Sequence, residues 1–123
     1  YFYYRHLDVH AMREAAGYLV GEHDFKSFCS IHAQVETTVR RIYALTVDKK
    51  KDIITIRITG NGFLYNMVRI IAGTLIRVGT GEYKPEQIPE ILAAKDREMA
   101  GPTAPAHGLT MIGIEYEDLE EKS

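Results

Sequence analysis

Apolar and polar residues alternate along three stretches of the chain, a pattern typical of half-buried β-strands. These stretches are residues 37–48, 53–59 and 110–116, and the aromatic residues at 1–5 predict a further short strand. Only a lysine-rich polar turn separates the first two stretches. They therefore predict a β-hairpin, with Ile54, Ile56 and Ile58 on the buried side of its second strand.

Apolar residues spaced three and four apart predict three helices. The first begins at Asp8, a preferred N-cap residue, and ends near Gly21. The second follows a glycine turn at 60–62 and runs to about Gly79. It is apolar around most of its circumference, which indicates burial on most sides. The third begins around Pro85, a residue favoured in the first helical turn.

Two aromatic residues, Phe25 and Phe28, lie in the segment after the first helix. This segment has no clear period and is predicted to be a turn that these two rings anchor on the core. The full order of predicted elements is strand, helix, strand, strand, helix, short helix and strand. That order predicts the α+β class (an α/β sandwich): a split β-α-β arrangement in which helices cover one face of an antiparallel sheet.

In this arrangement Arg40 and Arg57 point to the sheet face that the helices leave uncovered. An uncovered face with arginines, threonines and apolar residues is a candidate surface for binding RNA or for docking another domain. A plain solvent-exposed face explains the pattern equally well.

Composition places residues 1–123 in a single globular domain. Its 123 residues are 46% hydrophobic and 26% charged, and no apolar run has the length of a membrane-spanning helix. The net charge of -2 argues against a broad nucleic-acid-binding surface, although it leaves room for a local basic patch. The single Cys29 has no partner for a disulfide, which fits a reducing, cytoplasmic compartment, and lacks further ligands at zinc spacing, so no metal is expected.

Arg69 is the charged residue that most needs a partner. It lies near the N-terminal end of the mostly apolar second helix, where the helix dipole favours an anion over a guanidinium. Gly73, one turn later, leaves room for another segment to approach. The sequence pattern alone leaves the partner of Arg69 open: it is a carboxylate within this domain, water reached by the extended side chain, or some other anion.

Three motifs, in this order, resemble the C-terminal domain of the TruA family of tRNA pseudouridine synthases. They are GEHDFKSF at 21–28, GNGFLYNMVRIIAGTLIRVG at 60–79 and GPTAPAHGL at 101–109. The resemblance covers essentially the whole chain. It implies an enzyme that isomerises uridine to pseudouridine in the anticodon stem-loop of tRNA, at tRNA positions 38–40. It further implies a cytoplasmic homodimer that uses neither a cofactor nor a metal.

The resemblance also implies that the nucleophile lies outside this chain. The catalytic aspartate of the family lies in a motif like R-T-D-x-G-V-H of the N-terminal half, and the tyrosine that stacks on the target base lies in that half too. No aspartate of this sequence has that context; the aspartates are Asp8, Asp24, Asp48, Asp52, Asp96 and Asp118. The chain also begins at Tyr1 without an initiator methionine. We therefore expect a C-terminal half that is inactive alone, with tRNA and an N-terminal half as its partners.

Residue roles follow from the same resemblance. Arg69 matches the arginine of the family's M-V-R motif, which pairs with the catalytic aspartate and would keep that carboxylate ionised. Leu109 matches the apolar residue that packs against the flipped uracil. Arg40 matches a strand arginine that faces RNA or the partner domain. No role is implied for His107, where the family varies.

Two other functions fit the predicted architecture. The first is a non-catalytic regulatory or small-ligand-binding module, because split β-α-β folds host many functions. The second is a stand-alone RNA-binding domain. The acidic balance of the chain and the lack of an RNP-type aromatic pair on its strands disfavour this second function.

Overall fold

A computed structural model describes residues 7–30, 37–51, 53–64, 66–104 and 112–118. The elements in chain order are α1 (Val9–Leu19), β1 (Gly21–Asp24), β2 (Val39–Lys50), β3 (Ile53–Gly60), α2 (Met67–Gly79), α3 (Gln87–Ala94) and β4 (Ile112–Asp118). Short 3-10 turns occupy Lys26–Phe28 and Arg97–Met99. The strand predicted at 1–5 lies outside the described residues, as do His107 and Leu109.

The strands of the described chain form one mixed sheet in the order β1-β2-β3-β4. β1 and β3 each run antiparallel to β2, whereas β4 runs parallel to β3. The predicted α+β sandwich is confirmed, but the expectation of a wholly antiparallel sheet is wrong at β4. The reason is that α2 and α3 separate β3 from β4 and carry the chain back to the end at which β3 began.

The helices pack on one face of this sheet, and α1 contacts both α2 and α3. The inward side chains of β3 are Ile54, Ile56 and Ile58, each almost inaccessible to solvent, as predicted. α2 is buried along most of its length, which confirms its predicted burial. Phe25 and Phe28 are fully buried and anchor their segment on the core. No helix among the described residues is both long and apolar enough to cross a membrane.

A β-bulge at Tyr43 changes which residues of β2 face the helices. Ile42 and Ala44 pair with successive residues of β3, so Tyr43 between them has no partner there. Ile42 is buried before the bulge, and Leu45 and Val47 are buried after it. The predicted regular alternation of this strand is therefore wrong at one residue, because an inserted residue exchanges the inward and outward positions.

The bulge also separates the two strand arginines that the sequence predicts on one open face. Arg57 does lie there, exposed, with its guanidinium 2.9 Å from the carboxylate of Glu115 on β4. Arg40 alternates with the buried Ile42, so it points to the helix side of the sheet. Its guanidinium donates to two preceding backbone carbonyls, each at 2.8 Å. The predicted face is thus confirmed for Arg57 and wrong for Arg40.

Candidate active site

A tight corner fixes the direction in which α2 enters the core. A Cβ atom on Gly60 would lie 2.9 Å from the carbonyl oxygen of Arg41, so the close approach of the backbone favours glycine. Gly62 has a φ of 128°, and Asn66, which precedes the helix, has a φ of 62°. Glycine adopts such angles freely, and asparagine is one of the few other residues that tolerate the left-handed region. The corner therefore sets the position of Arg69 on the first turn of α2.

The half-buried Arg69 side chain is held by an amide. Its Nη2 donates to Oδ1 of Asn66 at 2.6 Å, and Nδ2 of Asn66 donates to Oγ of Ser30 at 3.2 Å. Arg69 forms no salt bridge with any carboxylate of the described chain. The intradomain carboxylate partner is therefore absent from that part of the chain. Within the described chain Asn66 takes one N–H donor of this guanidinium, so the other donors can bind an anion.

The loop after α3 crosses α2 one turn beyond Arg69, at Gly73. A Cβ atom at this position would lie 1.7 Å from the carbonyl oxygen of Pro102 and 3.3 Å from the nitrogen of Ala104. Only the absence of a side chain allows such a contact. The prediction that Gly73 leaves room for another segment is confirmed, and that segment is the loop itself.

Hydrogen bonds fasten the same loop to the buried side of α2. The backbone nitrogen of Gly101 donates to Oγ1 of Thr74 at 2.9 Å. The Thr74 hydroxyl donates in turn to a carbonyl oxygen one turn earlier in the helix, at 2.8 Å. The nitrogen of Ala104 donates to the carbonyl oxygen of Arg69 at 2.9 Å. The loop and the first turns of α2 thus form one connected unit.

Arg97 holds the outer side of this loop. Its Nη1 donates to the carbonyl oxygen of Gly101 at 2.8 Å, and its Nη2 donates to Oγ1 of Thr103 at 3.2 Å. Sequence analysis missed both Arg97 and Asn66. Arg97 could have been found as an arginine four residues before the glycine-proline loop. Asn66 could have been found as a polar residue three positions before Arg69, a spacing that brings two side chains together on a helix.

The predicted site residues do not all come together. Arg69 lies at the start of α2, on the helix side of the sheet, whereas Arg57 lies on the opposite face. Arg40 is on the helix side, but its guanidinium already donates hydrogen bonds to two backbone carbonyl oxygens. Leu109 lies outside the described residues. Within the described chain the candidate site is therefore Arg69, its amide partner Asn66 and the adjoining loop.

Cys29 is buried in the same region and is predicted to be unreactive. Desolvation by burial, followed by the nearby Asp24 carboxylate, raises the pKa of its thiol. A higher pKa leaves less thiolate at any given pH, so alkylation by iodoacetamide at pH 7.5 should be at least about 10-fold slower in the folded chain than in denaturant. Mass spectrometry against time measures both rates. Equal rates in the folded and denatured chain would contradict the prediction.

Comparison with known proteins gives a family for this chain. The sequence model of a family described as tRNA pseudouridine synthase matches residues 15–117. The tRNA pseudouridine synthase A of Brevibacillus brevis is 60% identical over 110 residues, which are 89% of this chain and 45% of that protein. The protein of the same name from Bacillus subtilis is 52% identical over 118 residues, 96% of this chain and 47% of that protein.

A third relative, tRNA pseudouridine synthase A of Caldicellulosiruptor bescii, is 50% identical over 116 residues, 94% of this chain and 48% of that protein. The chain thus spans slightly less than half the length of these curated relatives. The family match extends from α1 to β4 and includes Arg69 together with the loop that crosses α2. This chain belongs to the TruA family of tRNA pseudouridine synthases.

Proposed function

We propose that this chain is the C-terminal half of a tRNA pseudouridine synthase that isomerises uridine to pseudouridine in the anticodon stem-loop of tRNA, at tRNA positions 38–40. The names of its relatives and the share of their length that it spans support this proposal. The observation that carries it is Arg69, a half-buried guanidinium with no carboxylate partner in the described chain. A half-buried guanidinium of this kind is suited to bind an anion supplied from elsewhere in the enzyme.

In this proposal the anion is the catalytic aspartate of an N-terminal half. A guanidinium can hold a carboxylate through two parallel hydrogen bonds, which fixes its orientation as well as its charge. The positive charge of Arg69 lowers the pKa of the aspartate and keeps it ionised as the nucleophile.

Leu109 supplies the apolar wall of the site. An apolar side chain suits a uracil that has been flipped out of its stack, and it excludes water from the reacting ring. The hydrogen bond from Ala104 to the Arg69 carbonyl supports a shared site, because it ties the loop that leads to Leu109 to the helix turn that carries the arginine.

Arg40 and Arg57 are assigned to contacts with tRNA or with the N-terminal half. They lie on opposite sides of the sheet, so they serve two different contacts. The complete enzyme is proposed to be a homodimer in the cytoplasm that acts without a metal or cofactor.

Tritium release from tRNA labelled at uridine C5 tests the proposal. The chain alone should release no tritium above background even at high concentration. The full-length protein, or the chain mixed with the N-terminal half, should release it from anticodon stem-loop uridines. The N-terminal half alone is the matched control. Release by the chain alone would overturn the proposal, because the nucleophile would then lie within these residues.

A further inference from the structure

We infer that Asn66 is a positioning residue for Arg69, holding one edge of the guanidinium so that the other edge faces the carboxylate of the N-terminal half. This inference rests on the proposed function. It assigns to the amide of Asn66 a role that acts through Arg69.

The backbone geometry argues against a purely structural role as a helix cap. Asn66 occupies the N-cap position of α2, where an asparagine side chain ordinarily accepts a hydrogen bond from the first-turn backbone N–H groups. Its side chain makes no such bond, and its backbone has left-handed angles, φ 62° and ψ 7°. The carbonyl oxygen of the side chain is directed to Arg69 instead.

The orientation of the amide is determined by its two partners. A guanidinium only donates hydrogen bonds, so the atom 2.6 Å from Nη2 of Arg69 must be the amide oxygen. The amide nitrogen then donates to Oγ of Ser30 at 3.2 Å, which joins the segment before β2 to α2. Ser30, Asn66 and Arg69 thus form a chain of hydrogen bonds in which each member orients the next.

A neutral amide is suited to this task because it orients the charge of Arg69 without neutralising it. A carboxylate at position 66 would form an ion pair with Arg69 and compete with the catalytic aspartate for the same guanidinium. Fixing the side chain before the aspartate arrives also removes part of the entropy cost of assembling the site. The amide of Asn66 is therefore polar enough to orient Arg69 and, being neutral, does not compete with the catalytic aspartate.

The test compares two variants of the full-length enzyme, Asn66→Gly and Asn66→Asp. Glycine keeps the left-handed backbone and removes the amide; aspartate keeps the shape and adds a charge. We expect Asn66→Gly to lower kcat about 10- to 100-fold and Asn66→Asp to lower it by at least as much, while KM for tRNA changes less than about threefold. The melting temperature of Asn66→Asp should stay close to that of the parent enzyme.

A purely structural role of Asn66 would give a different result. If Asn66 only supports the helix terminus, Asn66→Asp provides an equally good capping residue and kcat remains normal, which would overturn the inference. A matched control is Gln87→Ala at the start of α3, which removes an amide oxygen that accepts from the backbone nitrogen of Lys84 at 2.7 Å. It should lower the melting temperature and leave kcat unchanged. An inactive parent enzyme would instead count against the proposed function itself.

Discussion

If the proposed function holds, we expect Arg69→Ala to abolish pseudouridine formation in the full-length enzyme and to leave the affinity for tRNA nearly unchanged. The expected loss in single-turnover rate is at least about 1,000-fold, since in the proposed site the catalytic carboxylate would lose both its orientation and the charge that keeps it ionised. Affinity should change less than about threefold, because phosphate contacts spread over many groups supply most of the binding energy. Tritium release measures the first quantity and filter binding the second.

Two further variants sharpen this prediction. Arg69→Lys keeps the charge but loses the bidentate geometry, so its rate should lie between those of the parent and Arg69→Ala. Arg13→Ala is a matched control, because Arg13 lies on α1, where it donates to the carbonyl oxygen of Val47 at 2.7 Å and lies 4.0 Å from the carboxylate of Asp48. Normal turnover in Arg69→Ala would show that the guanidinium has no part in the reaction.

Gly73→Ala destabilises the folded chain, although alanine is the better helix former. The new methyl group would lie 1.7 Å from the carbonyl oxygen of Pro102, a backbone atom that cannot move without displacing the loop from α2. Overpacking of this kind costs about 1–3 kcal/mol or more. Helix propensity returns only about 1 kcal/mol. Urea denaturation followed by circular dichroism gives the difference in unfolding free energy.

Gly17→Ala makes the same exchange in another helix and should have the opposite sign. Gly17 lies within α1, and apart from the neighbouring residues and backbone of that helix no atom of the described chain lies within 4 Å of the position that a Cβ would take. The substitution should therefore stabilise the chain by about 0.5–1 kcal/mol. A stabilising Gly73→Ala would show that the loop is not held against α2.

The hairpin and α2 could be predicted because burial sets the spacing of their isoleucines. β1 could not, since Gly21–Asp24 contains no apolar residue and forms a strand only through its pairing with β2. Alternation also carries no information on strand direction, so the parallel pairing of β4 had no signal in its sequence. These features depend on tertiary partners.

The residues of the candidate site also differ in how far the sequence predicts them. Arg69 stands out in the sequence because a charge on an almost wholly apolar helix needs a partner. Asn66 and Arg97 do not, because the roles of both depend on contacts that the fold creates. Asn66 reaches Ser30, which is 36 residues earlier in the chain, and Arg97 holds a loop whose path is set by its contact with α2.

The unpaired Tyr43 gives β2 a place at which its length can change. Because Ile42 and Ala44 already face neighbouring residues of β3, a strand lacking one residue between Ile42 and Leu45 would alternate regularly from end to end. Each inward side chain would keep its place in the core. A deletion further along, before Val47, would turn that residue out to solvent. A relative whose β2 is one residue shorter at the bulge would therefore keep the same core.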